Sequence, residues 1–223
     1  MNPKLIELTG DADIAEQLET YFSIVDERHQ GRDDLDLLTM VESIELTEEF
    51  RTFQPIVRDL QGVILDDPGT SDHHVLLCRV PFDGAVLHLT HDGESRVVFN
   101  SIESFLEAAH RASGIGGYVE EEHPEHAWIA DDQATLKNLI ASLRSEPDGE
   151  DILPALIPSL ELSDVDFLSA LVTGKGFYVA EAVCREIAAR PTPHLLSVAK
   201  LGEEHSHSMV RTAAAKARER IAR

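Results

Sequence analysis

The chain is poor in the features that usually narrow a protein's chemistry. It has 2 cysteines in 223 residues. Cys78 and Cys184 lie inside apolar runs rather than at metal-ligand spacing, which argues against a disulfide framework or a cysteine zinc site and for reduced thiols in a cytoplasmic protein. No apolar run approaches the roughly 18 residues that span a bilayer. The opening residues, MNPKLIELTGDADIAEQLE, are acidic where a signal peptide is basic and then apolar, so no membrane association is expected. Basic residues are scarce as well: 19 Lys and Arg stand against 41 Asp and Glu, a formal charge of −22. Such a field repels phosphate backbones and anionic lipid and favours basic partners, which argues against nucleic-acid binding. The imbalance is uneven. Residues 1–50 hold fourteen acids against Lys4, Arg28 and Arg32, while residues 205–223 hold five bases against Glu219 alone.

Motifs of catalysis are equally sparse. There is no GxSxG for a serine nucleophile. SGIGGY (113–118) and TGKG (173–176) do not match a phosphate-binding loop and read as helix terminators. The triplet Asp72-His73-His74 reads as a turn-to-strand boundary rather than the signature of the DHH phosphoesterases, because no upstream strand ends in spaced metal-binding aspartates. His88 and His91, with Asp92, could join His73 or His74 across a hairpin as metal ligands. Strand alternation instead makes His88 a surface histidine and sends His73 and His74 to opposite faces. In EEEHPEH (120–126), His123 and His126 are three apart with Pro124 between them, unlike the helical zinc patterns, so the segment reads as a solvated acidic connector. No catalytic residue, cofactor or metal site is expected; a hydrophobic content of 43% can build a core without one.

What the chain does have is period. Ile14, Leu18, Tyr21, Phe22 and Val25 recur at three-and-four spacing, predicting a helix capped by Asp11 or Asp13. DDLDLLTMVESI (33–44) predicts a second, shorter helix. From residue 55 the pattern changes: PIVRDLQGVIL, HVLLCRV, GAVLHLT and RVVF are short, apolar and separated by turn residues, as in an antiparallel meander. Asp92-Gly93 is read as a tight turn in which Gly supplies a positive φ. NSIESFLEAAHRA then starts a helix with Asn100 or Ser101 as its cap and Ile102, Phe105, Leu106 and Ala109 on its apolar face. Leu87, Leu89, Val98, Phe105 and Leu106 are expected to share one core. Residues 116–132 read as an acidic connector. Residues 133–223 read as helices at about 133–145, 150–158, 163–172, 176–189, 193–201 and 206–222. Within them FLSALVTG (167–174) echoes LLSVAKLG (195–202), and CREIAAR (184–190) echoes ARERIAR (217–223), implying two helix pairs. The last helix carries a stripe of Val210, Ala213, Ala214, Ala217 and Ile221.

The stretch DDPGTSDHHVLLCRVPFDGAVLHLTHDGESRVVFNSIESFLEAA resembles the C-terminal half of the SUKH superfamily, the Smi/Knr-like domains. The matching features are a strand, a hairpin of the form pf.G.vl.l.hDG, the strand RVVF, and a helix of the form S..sFLeA. MVRTAAAKARERIA resembles the second helix of a HEAT repeat. The resemblance implies an α+β fold over 1–115, an antiparallel sheet flanked by helices, followed over 133–223 by an all-α helical-hairpin domain. It implies a non-catalytic protein-interaction module, with an immunity protein that neutralises a basic toxin as one form of that role. A general regulatory scaffold and a metal-dependent hydrolase using His73, His74, His88 and His91 are the alternatives.

Overall fold

The apolar stripe at Ile14, Leu18, Tyr21, Phe22 and Val25 closes into one buried helix face. In the computed structural model, which describes residues 2–31 and 36–223, these side chains line the inner face of α2 (Ala12–Gly31). Of the two candidate caps it is Asp11 that serves, its Oδ1 accepting from the backbone N–H groups of Asp13 at 2.8 Å and Ile14 at 3.1 Å. A short helix not foreseen from the pattern, α1 (Pro3–Thr9), precedes it and buries Leu5 and Leu8.

The second predicted helix is displaced. Residues 33–35 of that prediction lie outside the described residues, and Leu37 instead bridges to Asp66 as extended chain. Helix α3 (Met40–Arg51) starts later and runs on through ELTEEFR. Its start is fixed by the Glu42 carboxylate, which accepts from Thr39 N at 2.9 Å and Thr39 Oγ1 at 2.6 Å. That local closure outweighs the apolar run before it.

PIVRDLQGVIL also departs from expectation. Pro55 sits in the first turn of a helix, α4 (Pro55–Asp59), where its missing N–H costs nothing, and only β1 (Val63–Ile64) is strand. β2 (His73–Leu76), β3 (Val86–Leu89) and β4 (Arg96–Phe99) follow, and the four strands form an antiparallel sheet in sequence order. Gly93 does not take a positive φ. A Cβ there would come within 3.0 Å of Thr90 Oγ1, so close approach favours glycine. Ser101 caps α5 (Ile102–Ile115), accepting from Ser104 N.

The pleat divides the sheet's side chains. Leu76, Val86 and Val98 pack in one cluster with the α2 stripe and with Ile102, Phe105, Ala108 and Ala109 of α5. Leu106 packs against that cluster half-buried, whereas Leu87 and Leu89 are buried outside it, so the single core expected for these residues is split by the sheet. The outer edge of β1 is closed by side chains of α3. Ser43 Oγ donates to Ile64 O at 2.5 Å and Ile64 N donates to Thr47 Oγ1 at 2.9 Å. Arg51 Nη2 donates to Gly62 O at 3.1 Å.

The chain divides into two compact units, Met1–Trp128 and Ile129–Arg223. Residues 116–128 of the 116–132 segment read as a connector fall in the first unit, where Trp128 N donates to Val97 O and the Trp128 ring packs edge-on against Phe82. The second unit is helical: α6 (Gln133–Leu143), α7 (Gly149–Leu156), α8 (Val165–Val172), α9 (Phe177–Ala189), α10 (Leu196–Glu203) and α11 (Ser208–Ile221). α8 packs on α9 and α10 on α11, and α8 also packs on α10 and α9 on α11. Val210, Ala213, Ala214 and Ala217 are buried in this unit, while Ile221 is half-exposed. Gly202 marks a close approach of α10 to α9 and α11: a Cβ on it would stand 2.7 Å from both Ala214 Cβ and Cys184 Sγ. Among the described residues, no helix is long and apolar enough to cross a membrane.

Candidate functional site

Two adjacent histidines on β2 are sent to opposite sides of the sheet. His73 pairs with Leu89 and His74 with His88, so the side chains of the second pair share one face and those of the first pair the other. Each face carries its own constellation.

On the first, the chain leaves β1 at Asp66, whose buried carboxylate accepts from His74 N at 2.6 Å and from His74 Nδ1 at 2.5 Å. The buried carboxylate thus fixes the imidazole's tautomer, holding the Nδ1 proton and turning Nε2 outward. His74 Nε2 lies 2.7 Å from Nε2 of His123, so one proton is shared between the two rings. His88 completes a triangle of rings, its centroid 5.0 Å from that of His74 and 4.6 Å from that of His123. Its Nε2 is buried without a hydrogen-bond partner. Phe105, with its ring centroid 4.9 Å from His74, makes the floor.

Burial lowers the pKa of His88 to about 4, and the neighbouring His74 adds to the shift. His123 is lowered to about 3 by the same two causes in the same order. Both rings are therefore neutral at neutral pH. The hydrogen-bonded chain from Asp66 through His74 to His123 pins the 119–128 segment to the sheet. No group of three or more His, Cys, Asp or Glu side chains among the described residues is arranged to hold a metal ion. The two thiols offer no nucleophile at neutral pH, because burial pushes both Cys78 and Cys184 up to about 12.

The opposite face carries a cleft of about 480 Å³. Its walls include Phe50 and Phe53 from α3 and the turn after it, His73 and Leu89 from the sheet, and Asp67 and His91 from loops. Phe50 packs at 4.9 Å between centroids against both Phe53, with the rings tilted, and His73, edge-on. His73 is held in place because its Nδ1 donates to Asp66 O at 2.9 Å. Phe53 is 58% exposed.

The histidines weighed as one metal set are thus parted. His74 and His88 meet, His73 faces the cleft, and His91 stands in the exposed β3–β4 loop with Asp92. His88 is half-buried rather than a surface group. Asp66 is not singled out by the sequence reading, although it has a signal, a carboxylate ending the apolar run GVILD. His123 is weighed there only with His126, in a segment read as a solvated connector; nothing in the sequence links it to His74, since its placement depends on how the 116–128 segment folds back. His126 is exposed.

No protein-family model, no curated protein and no solved structure matches the chain.

Proposed function

We propose that this chain is a cytoplasmic, non-catalytic protein-interaction module whose partner is a basic protein. The observation that carries the reading is the excess of 41 acids over 19 bases. A field of that sign accelerates encounter with a basic partner and orients it, and it disfavours acidic ones. The resemblance of residues 66–109 to SUKH domains adds a particular form of the role, an immunity protein that masks a basic toxin. The antiparallel meander followed by α5 in that stretch supports it. The HEAT-like reading of residues 133–223 is supported by the pairing of α8 with α9 and α10 with α11.

The test is affinity capture from the native host at low and at high salt, with the retained proteins identified by mass spectrometry. A stoichiometric basic partner released by salt is expected. A partner that is acidic, or one held regardless of salt, overturns the reading, as does the retention of no partner.

A further inference from the structure

The cleft beside His73 has the chemistry of a receptor for one cationic side chain. Phe50 and Phe53 bring aromatic rings to one wall, 4.9 Å apart between centroids, and the buried His73 ring packs edge-on with Phe50 at the same distance. Asp67, exposed on the loop after β1, supplies a carboxylate to the same cleft, and no Lys or Arg among the described residues lines it. Aromatic faces attract a cation through their quadrupole, and a planar guanidinium can stack on a ring while its edge donates to a carboxylate. A volume of about 480 Å³ is ample for such a side chain.

We propose that the Phe50–Phe53–Asp67–His73 cleft receives an arginine side chain projecting from the basic partner. This rests on the reading of the chain as a module for a basic protein, and it names the place where that partner is anchored. Charge complementarity selects the occupant: among the described residues the cleft holds the Asp67 carboxylate beside Phe50 and Phe53, and the chain as a whole is strongly acidic. A neutral apolar anchor would leave Asp67 unused.

The experiment is a titration of the full-length, isotope-labelled protein with an acetylated, amidated Gly-Gly-Arg-Gly-Gly peptide, followed by backbone amide shifts. The same peptide with citrulline, a neutral isostere, is the control ligand. Shifts should concentrate at Phe50, Phe53, Asp67, His73 and His91, and the citrulline peptide should bind more weakly. Phe53→Ala and Asp67→Asn should each weaken arginine-peptide binding by about threefold to tenfold. Phe53 and Asp67 are both exposed, so neither change threatens the fold. Glu146→Gln, which removes one exposed acid from the other unit, should change it less than about twofold.

The proposal is overturned if citrulline binds as well as arginine, if Glu146→Gln costs as much as Asp67→Asn, or if the shifts lie away from the cleft. Repeating the salt-dependent capture with both cleft variants separates the two readings. A basic partner retained equally by wild type and variants removes the cleft and keeps the module. Absence of any basic partner for the wild type removes the module itself.

Discussion

Asp66 and His74 illustrate how much one buried pair can demand of its surroundings. Both are almost fully enclosed, and the carboxylate takes both the backbone and ring N–H groups of His74. Removing the imidazole leaves one buried Asp66 oxygen without its partner, so His74→Ala should cost about 1–3 kcal/mol in urea denaturation. A loss below about 1 kcal/mol would show that the pair is not needed. The neighbouring rings give a pH signature. The folded pKa values of His88 and His123 lie below the ordinary histidine value of 6.5, at about 4 and about 3. Folding therefore favours their neutral forms. Their contribution is fully present above about pH 6.5 and is lost as pH falls toward 4 and 3. Asp66 and Asp72 temper this shift at His88, and Arg96 reinforces it at both rings. The denaturation midpoint should fall between pH 7 and pH 4, and His88→Leu, which removes an unpartnered buried nitrogen, should flatten that fall. An unchanged slope in the variant would assign the pH dependence elsewhere. Only part of this site could be read from sequence. The alternation of a strand separates His73 from His74, but no periodicity links His123 to a strand 49 residues away.

At the level of elements, β1 is the instructive case. A two-residue strand at the rim of a sheet presents unpaired backbone groups, and α3 supplies Ser43 and Thr47 to meet them. The double variant Ser43→Ala, Thr47→Val should lose about 2–5 kcal/mol from two stranded backbone groups, and it should aggregate faster when monitored by thioflavin fluorescence. Equal stability and aggregation in wild type and variant would deny the edge its protection. In the helical unit, Gly202→Ala places a methyl 2.7 Å from Ala214 Cβ and Cys184 Sγ and should cost about 1–3 kcal/mol, read as a lowered Tm. Strong periods made most elements legible: α2, α5, β2 to β4 and the helices after residue 133 lie where spacing and caps put them. The errors have local physical causes. Pro55 looked like a strand start but serves as a helix first turn, and Thr39 with Glu42 begins α3 inside what read as the end of a helix. Gly93 was read for its backbone freedom when its lack of a side chain is what the loop uses.

On the scale of the whole chain, a charge of −22 works against compaction by self-repulsion. Raising salt shortens the screening length from about 30 Å at 0.01 M to about 8 Å at 0.15 M, so Tm should rise across that range. A Tm that falls or stays level would mean that ion pairs such as Lys137–Asp164 and Arg190–Glu186 outweigh the repulsion. The sign of the charge is legible from composition, but its distribution around the cleft is not, because Asp67 reaches Phe50 and His73 only through the tertiary fold. The closed rim of β1 has one further implication. With those backbone groups already engaged, a partner gains little there by adding a strand, and recognition at that rim falls to side chains. An interface written in side chains can be re-specified one substitution at a time, so related chains could change allegiance while keeping the same scaffold.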